Sequence, residues 1–358
     1  MKHSTDRILT THAGRLDGDG IVDVLRKQAE AGIDIVSDGE LSKIGFGGIG
    51  YYGRRMSGLT TRKLKPDEPA FMALETGERL EFADFYKGLP FMAAPSERSV
   101  CSGPIEYTGR EEVGKDLEIV KAALIESGVK PEETFLCVLA PGWLEHFFLN
   151  EYYATDEEYI FALAEAVKPE YKAVVDAGFI LQIDDPALPD TYDMIVPNPT
   201  IAEYRKFAEV RVEALNQALR GLPEDRVRYH ICWGSWHGPH THDLPLQHVV
   251  DLMLKITVGA YSLEAANPRH EHEWKIWRDV KLPEGKILIP GVVTHHTNVV
   301  EHPELVADRI VRYASLVGRE NVIAGTDCGM GFRVHPQIAW AKLKALAEGA
   351  RLASQQLW

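Results

Sequence analysis

His230 and Cys232 stand two residues apart in the run Val227-Arg228-Tyr229-His230-Ile231-Cys232-Trp233-Gly234. If that run is a β-strand, positions 230 and 232 leave the same face, and a nitrogen and a sulfur side by side can share one metal ion. A second apolar run, Ala260-Tyr261-Ser262-Leu263-Glu264, ends in a carboxylate. An unpaired charge is costly to bury, so Glu264 calls for a cation. A third run, Val322 onward, ends in Thr326-Asp327-Cys328-Gly329, with a glycine that lets the backbone come close after the thiol. One nitrogen, two sulfurs and one oxygen from three strand ends fit tetrahedral zinc. Cys101 and Cys137 are expected instead to be small buried hydrophobes.

Other groups compete for a role. His295 and His296 close a further apolar run, and one of them is expected to give a proton near the metal. His240-Thr241-His242 has ligand-like spacing but lies between Pro239 and Pro245, in a loop; His270 and His272 are expected to be solvated. Asp184 and Asp185 are adjacent, so on a strand they point to opposite faces, one to bind and one to serve the structure. Asp38 and Glu40 are two apart and can both line a rim; turn and cap chemistry around Gly39 is the alternative. Trp233, Trp236 and Trp143 form either a wall for a flat or apolar reactant or part of the core. The chain has no GxxxxGK[ST] and no GxSxG, and its glycines at 45, 47, 48 and 50 do not follow a strand-to-helix dinucleotide pattern. Chemistry must come from rim side chains or the metal.

The elements that would position these residues alternate along the chain. Short apolar runs at 8–12, 33–37, 99–102, 135–139, 179–183, 227–232, 260–264, 286–292 and 322–325 read as strands, separated by helical patterns. This is the α/β signature of a (β/α)₈ TIM barrel, whose functional residues gather at the C-terminal ends of the strands. The nine candidates exceed eight by one. Helices are expected over 201–219 after Pro199, over 305–317 after Pro303, and from Pro336 to about 353. A helical stretch at 156–176 should kink or split at Pro169.

The expectation is a single barrel domain spanning 1–358, interrupted after the second strand by an insertion at 41–98 that carries Pro66 and Pro69. Insertions of this length serve as lids or assembly surfaces, or are solvated segments with no chemistry, so self-association is one open expectation. Of 358 residues, 45% are hydrophobic and 26% charged, ordinary values for a globular enzyme. A net charge of −14 argues against nucleic acid or an anionic membrane as partner. No apolar run reaches the roughly 20 residues of a membrane span, and the four scattered cysteines suit reduced thiols. A cytoplasmic setting is expected.

With its metal-ligand candidates the chain resembles the catalytic half of cobalamin-independent methionine synthase and its shorter single-barrel relatives, which include the epoxyalkane:coenzyme M transferases. That resemblance implies zinc on His230, Cys232, Glu264 and Cys328. Thr10-Thr11-His12-Ala13-Gly14 is similar to the family's opening strand, and Asp38-Gly39-Glu40 and Gln182-Ile183-Asp184 to its thiol-binding segments. By the same likeness Glu40 and Asp184 would hold an ammonium group and His296 would be the proton donor. Arg15 stands where the family carries serine, and Asp185 where it carries glutamate. Arginine pairs well with carboxylate or sulfonate, although a surface salt bridge would also account for it.

The expected partners are a small-molecule thiol and an alkyl donor, the donor being methyl-tetrahydrofolate with homocysteine, or an epoxide with coenzyme M. Two cysteinates and a glutamate outweigh the charge of one zinc ion, which favours an electron-rich thiolate over an acidic water. Hydrolysis and a closed structural zinc site are the other classes to separate.

Overall fold

The computed structural model describes residues 1–43, 48–65, 76–88 and 97–358; Gly45, Gly47, Pro66 and Pro69 lie outside them. Eight strands form the central sheet: β1 (Leu9–Thr10), β2 (Ile35–Ser37), β3 (Glu133–Leu139), β4 (Ile180–Asp184), β5 (Val227–Ile231), β6 (Ala260–Glu264), β7 (Ile287–Val293) and β8 (Ile323–Thr326). They pair in the order β1-β8-β7-β6-β5-β4-β3-β2, every pair parallel. The two ends of the sheet meet where Asp34 N–H donates to Thr10 O at 3.2 Å and Thr11 Oγ1 to Ile35 O at 3.0 Å. The sheet thereby curls into a (β/α)₈ barrel.

The ninth strand candidate is the one at 99–102. Glu97–Cys101 pairs antiparallel with Leu59–Lys63 and parallel with Leu149–Asn150, in a separate three-stranded sheet. The expected insertion after the second strand thus carries sheet structure of its own. Its helices Gly77–Glu81 and Ala83–Lys87 lie against the loop that follows β5. There Thr241 N–H donates to Glu78 Oε2 at 2.7 Å and Trp236 Nε1 to Tyr86 OH at 3.2 Å.

The helices around the barrel follow their punctuation. Ile201–Leu219 starts in a capping box between Thr200 and Glu203, and Pro303–Val317 starts on its proline. The closing helix, Pro336–Leu357, runs further than expected. Asp156–Asp176 is one helix with Pro169 inside it, not two. Proline costs a helix interior about 3 kcal/mol. The same helix buries Tyr159, Ile160, Leu163, Val167, Tyr171 and Val174 on both sides of the proline, each contributing roughly 1.5–3 kcal/mol, so burial wins. Among the described residues no helix is long and apolar enough to cross a membrane.

Strand alternation sets what the barrel holds. Leu181, Ile183, Tyr229, Ile231, Tyr261 and Leu263 face outward into the larger core shared with the helices. Leu9, Ile35, Phe135, Ile180, Ala260, Ile287 and Ile323 fill the barrel floor. Above them lies Arg228, fully buried. Its guanidinium donates to Gln182 Oε1 at 2.7 Å, Thr11 Oγ1 at 2.9 Å and His12 O at 2.7 Å, and stacks on Phe135. Burial lowers its pKa to about 10, so it stays a cation at neutral pH. One step further along each strand are Asp184, His230 and Glu264.

Candidate metal centre

β5 brings His230 and Cys232 to the mouth of the barrel on one face, and the turn after β8 brings Cys328 against them. Their ligand atoms all lie within 4.8 Å of one another, and the two sulfurs are 3.8 Å apart. That is far from the ~2.05 Å of a disulfide. Two sulfurs each ~2.3 Å from one tetrahedral ion stand about 3.8 Å apart, so the spacing suits a shared metal. His230 supports this: its Nδ1 sits 3.3 Å from Ser262 Oγ while its buried Nε2 has no partner. A proton on Nδ1 would leave the Nε2 lone pair free to ligate.

The thiols already share their charge. A hydrogen bond from Cys232 draws Cys328 well below the usual thiol range against burial, and the same bond together with burial pushes Cys232 up. Burial acts against a proton on His230, but the Cys328 sulfur outweighs it and raises the ring.

Glu264 is buried, and among the described residues its carboxylate groups with His295 and His296. Its Oε1 accepts from Trp233 N at 3.1 Å and its Oε2 from Asn267 Nδ2 at 2.7 Å, with His296 Nε2 3.6 Å away. Burial would raise its pKa; the neighbouring His296 and His295 overcome this and hold it below the usual carboxylate range. Asn267 Nδ2 also lies 3.0 Å from His296 Nε2. His295 is fully enclosed, neither ring nitrogen has a partner, and burial lowers its pKa to about 3.

Asp327 fixes Cys328 relative to Glu264. Its Oδ1 accepts from Ala265 N at 2.7 Å and Ala266 N at 2.9 Å, directly after Glu264, and its own N–H donates to Val293 O. Gly291 leaves room for it: a Cβ there would stand 2.4 Å from the Asp327 backbone nitrogen. Asp327→Ala would orphan two buried N–H groups and free the Cys328 turn. A roughly 10- to 100-fold loss of metal affinity is expected, read by competition with a chromophoric chelator.

A second cluster joins Glu40, Cys137 and Asp184, again within 4.8 Å. Asp38 and Glu40 part company, because Gly39 and Glu40 both take left-handed φ of 68° and 56°. Asp38 turns to cap the bend, its Oδ1 accepting from Glu40 N at 3.0 Å, while Glu40 reaches inward. Gly14 makes the approach possible, since a Cβ there would stand 2.2 Å from Glu40 Oε1. Asp184 is held from below: Arg228 orients the Gln182 amide, which donates to Asp184 Oδ1 at 2.6 Å. Asp185 faces the other way, accepting from Tyr229 OH at 3.0 Å.

Burial raises Asp184 to about 6, and burial together with the charge of Asp184 raises Glu40 to about 8. A carboxyl whose folded pKa exceeds its unfolded one stabilises the fold most at low pH, and that contribution is lost as pH rises through the folded value. Without a bound cation, Glu40→Gln is therefore expected to melt at least about 2 °C above the parent at pH 8. The difference should shrink or reverse at pH 5.

The remaining sequence candidates fall in varied places. Trp233 is fully buried, its Nε1 bonded to Leu244 O at 2.7 Å and its ring stacked 3.8 Å from His270; what it offers the site is its backbone N–H to Glu264. Arg15 donates to the Glu40 and Lys43 carbonyls and stacks on Phe332, and its buried Nε has no partner. Among the described residues it forms no ion pair. His240 and His242 do not converge on one ion: His240 bonds Asp243 and Trp236 O, and His242 pairs with Glu81. His270, expected to be solvated, is buried between Asp243 and Glu273.

Ser262, Asn267, Asp327, Gln182 and Arg228 were not singled out by type and spacing. Signals existed for three: Gln182 precedes Asp184, Arg228 precedes His230, and Ser262 precedes Glu264, each by one strand period on the same face.

Comparison with known proteins adds three findings. The family model "Cobalamin-independent synthase, Catalytic domain" matches residues 151–351. The protein named methionine synthase in Saccharolobus islandicus is 24% identical over 370 aligned residues, covering 99% of this chain and 90% of that one; its namesake in Sulfurisphaera tokodaii is 23% identical, covering 95% and 82%. The structure of a B12-independent methionine synthase from Shewanella sp. W3-18-1 in complex with selenomethionine superposes with a TM-score of 0.71 at 19% identity, covering 98% of this chain and 99% of that one. The last likeness is one of fold.

Proposed function

The chain belongs to the cobalamin-independent methionine synthase catalytic-domain family, and from that premise we propose that it transfers a methyl or other alkyl group to a thiol activated by zinc. The observation that carries the reading is the meeting of His230 Nε2, free of any protein partner, with two sulfurs 3.8 Å apart at the barrel mouth. His230, Cys232 and Cys328 would hold the ion, with Glu264 as the fourth ligand. When bound, zinc would hold the substrate as thiolate, whereas a free thiol with pKa ~8.5 is mostly protonated at neutral pH.

The chain's own residues supply the rest. Glu264 is fastened by Trp233 N–H and Asn267 among the histidines, apart from the other three donors, as suits a carboxylate that yields its place to the entering thiol. Glu40 and Asp184 bind the ammonium group of an amino-acid thiol, which relieves two carboxyls that burial makes costly to ionise together. Arg15, beside Glu40, takes the carboxylate of the same molecule through its spare Nε. His296 delivers a proton to the leaving atom, a pterin nitrogen when the donor is methyl-tetrahydrofolate.

Arg15 also favours a second reading, ring opening of an epoxide by a sulfonated thiol such as coenzyme M, in which the leaving atom is the epoxide oxygen. The carboxylate pair favours the amino-acid thiol. Incubating zinc-loaded protein with homocysteine and methyl-tetrahydrofolate, and separately with coenzyme M and short epoxides, decides between them. Thioether formation only in the first mixture supports the methyl-transfer reading; formation only in the second replaces it with the epoxide reading, and formation in neither removes both.

A further inference from the structure

Away from the metal-ligand candidates, the helix Pro141–Phe147 packs against Ala187–Met194 and Ile201–Leu219. The three leave a cavity of about 190 Å³ lined by residues of each. Gly142 and His146, one helical turn apart, share the face of the first helix that borders it. A Cβ at Gly142 would stand 3.7 Å from Asp185 Oδ1, 3.5 Å from Arg211 Cγ and 3.8 Å from Ala187 Cβ. The missing side chain is thus part of what keeps the space open. Asp185 faces away from Asp184, and the alkyl-transfer reading uses neither this cavity nor the groups that line it.

The walls are mostly apolar, formed by Tyr159, Leu188, Ile195, Tyr204 and Phe207. Most polar groups beside them are satisfied. The hydroxyls of Tyr159 and Tyr204 donate to Phe148 O and Leu188 O, each at 2.6 Å. Arg211 donates twice to Glu145, at 3.0 and 2.6 Å, and stacks on Phe207. Two lining atoms are different: among the described residues His146 Nδ1 and Asp185 Oδ1 have no hydrogen-bond partner, although the two residues are only 6% and 5% exposed. Burial keeps the His146 ring neutral, with its pKa lowered to about 3, and the ring stacks on Trp143. Asp185 accepts from Tyr229 OH through Oδ2, and the N–H groups of Ala187 and Leu188 ease its charge; Oδ1 is left over. Buried polar atoms without partners are uncommon and costly.

We propose that this cavity binds a small, uncharged, mostly apolar molecule carrying one hydroxyl, which meets Asp185 Oδ1 and His146 Nδ1. A hydroxyl both donates and accepts, so it serves a carboxylate oxygen and an imidazole nitrogen together. Water alone suits the space poorly, because a buried water takes about two to four polar partners and most of this wall offers none. A dry cavity of ~150 Å³ admits benzene, so a phenol-sized body fits. An anion does not, since Asp185 would oppose it and Arg211 is already paired with Glu145.

Fluorine NMR titration of the purified protein with 4-fluorophenol, fluorobenzene and 4-fluorobenzoate tests this independently of the alkyl-transfer reading. The phenol should saturate one site and bind about 5- to 20-fold tighter than fluorobenzene, while the benzoate should show no saturation. Gly142→Ala and His146→Phe should each weaken phenol binding by at least about fivefold. The alanine methyl would meet its neighbours at ordinary contact distances of 3.5–3.8 Å, so that variant is expected to fold and separates this cavity from the barrel mouth even if the phenylalanine variant does not. Absence of saturable phenol binding, which would leave the cavity to water, overturns the proposal. So does fluorobenzene binding as tightly as the phenol, or undiminished phenol affinity in either folded variant.

Discussion

Cys232→Ser is expected to reduce turnover by at least about a thousandfold and to leave the purified protein with little or no bound zinc. A serine hydroxyl remains protonated at neutral pH and is a poor ligand for a borderline-soft ion, so both the charge and the bond are lost. The neighbours cannot compensate. Glu264 is fastened by Trp233 N–H and Asn267, and the buried thiol of Cys137 belongs to the Glu40–Asp184 cluster. Metal analysis alongside product formation checks the claim, and full turnover in the serine protein would remove Cys232 from the ligand set.

His296→Asn is expected to lower kcat by about 10² to 10⁴-fold while thiol binding stays near the parent's level. Two histidines were candidates for the donor, and their surroundings separate them. His296 lines the open cleft, with Asn267 at 3.0 Å. His295 is enclosed and kept neutral by burial, so at neutral pH it has no proton to give as an acid. Single-turnover measurements with a pre-formed thiol complex separate the transfer step from binding. An unchanged transfer rate would move the donor role elsewhere.

Much of this was legible before any fold was known, for a simple geometric reason. A strand's period of two places 230 beside 232, and barrel topology carries strand ends to one rim, so His230, Cys232, Glu264 and Cys328 could be picked out by position and type. The same rule failed at Asp38 and Glu40 because it holds only for extended backbone, and Gly39 and Glu40 leave that region with φ of 68° and 56°. The strand at Glu97–Cys101 has the local alternation of a barrel strand. Only its partners, Leu59–Lys63 and Leu149–Asn150, place it in the other sheet. His270 and Arg228 are polar residues whose burial depends on distant partners, Asp243 and Glu273 for one, Gln182, Thr11 and His12 for the other. A local pattern carries no record of them.

The same contrast explains the supporting shell. Asp327 was in plain view beside Cys328, yet its work is to accept two N–H groups from the segment after Glu264, which becomes visible only when β6, β7 and β8 lie side by side. Arg15 gained meaning similarly. Its position in the opening segment suggested an anion partner, and the fold sets its guanidinium against the Glu40 carbonyl and Phe332 with Nε unoccupied.

X-ray absorption at the zinc edge, recorded on zinc-loaded protein before and after adding homocysteine or coenzyme M, tests the central claim most directly. The sulfur ligands are expected to rise from the two of Cys232 and Cys328 to three, with release of the thiol proton to the medium. Unchanged sulfur coordination without proton release, at thiol concentrations that saturate the protein, would contradict it.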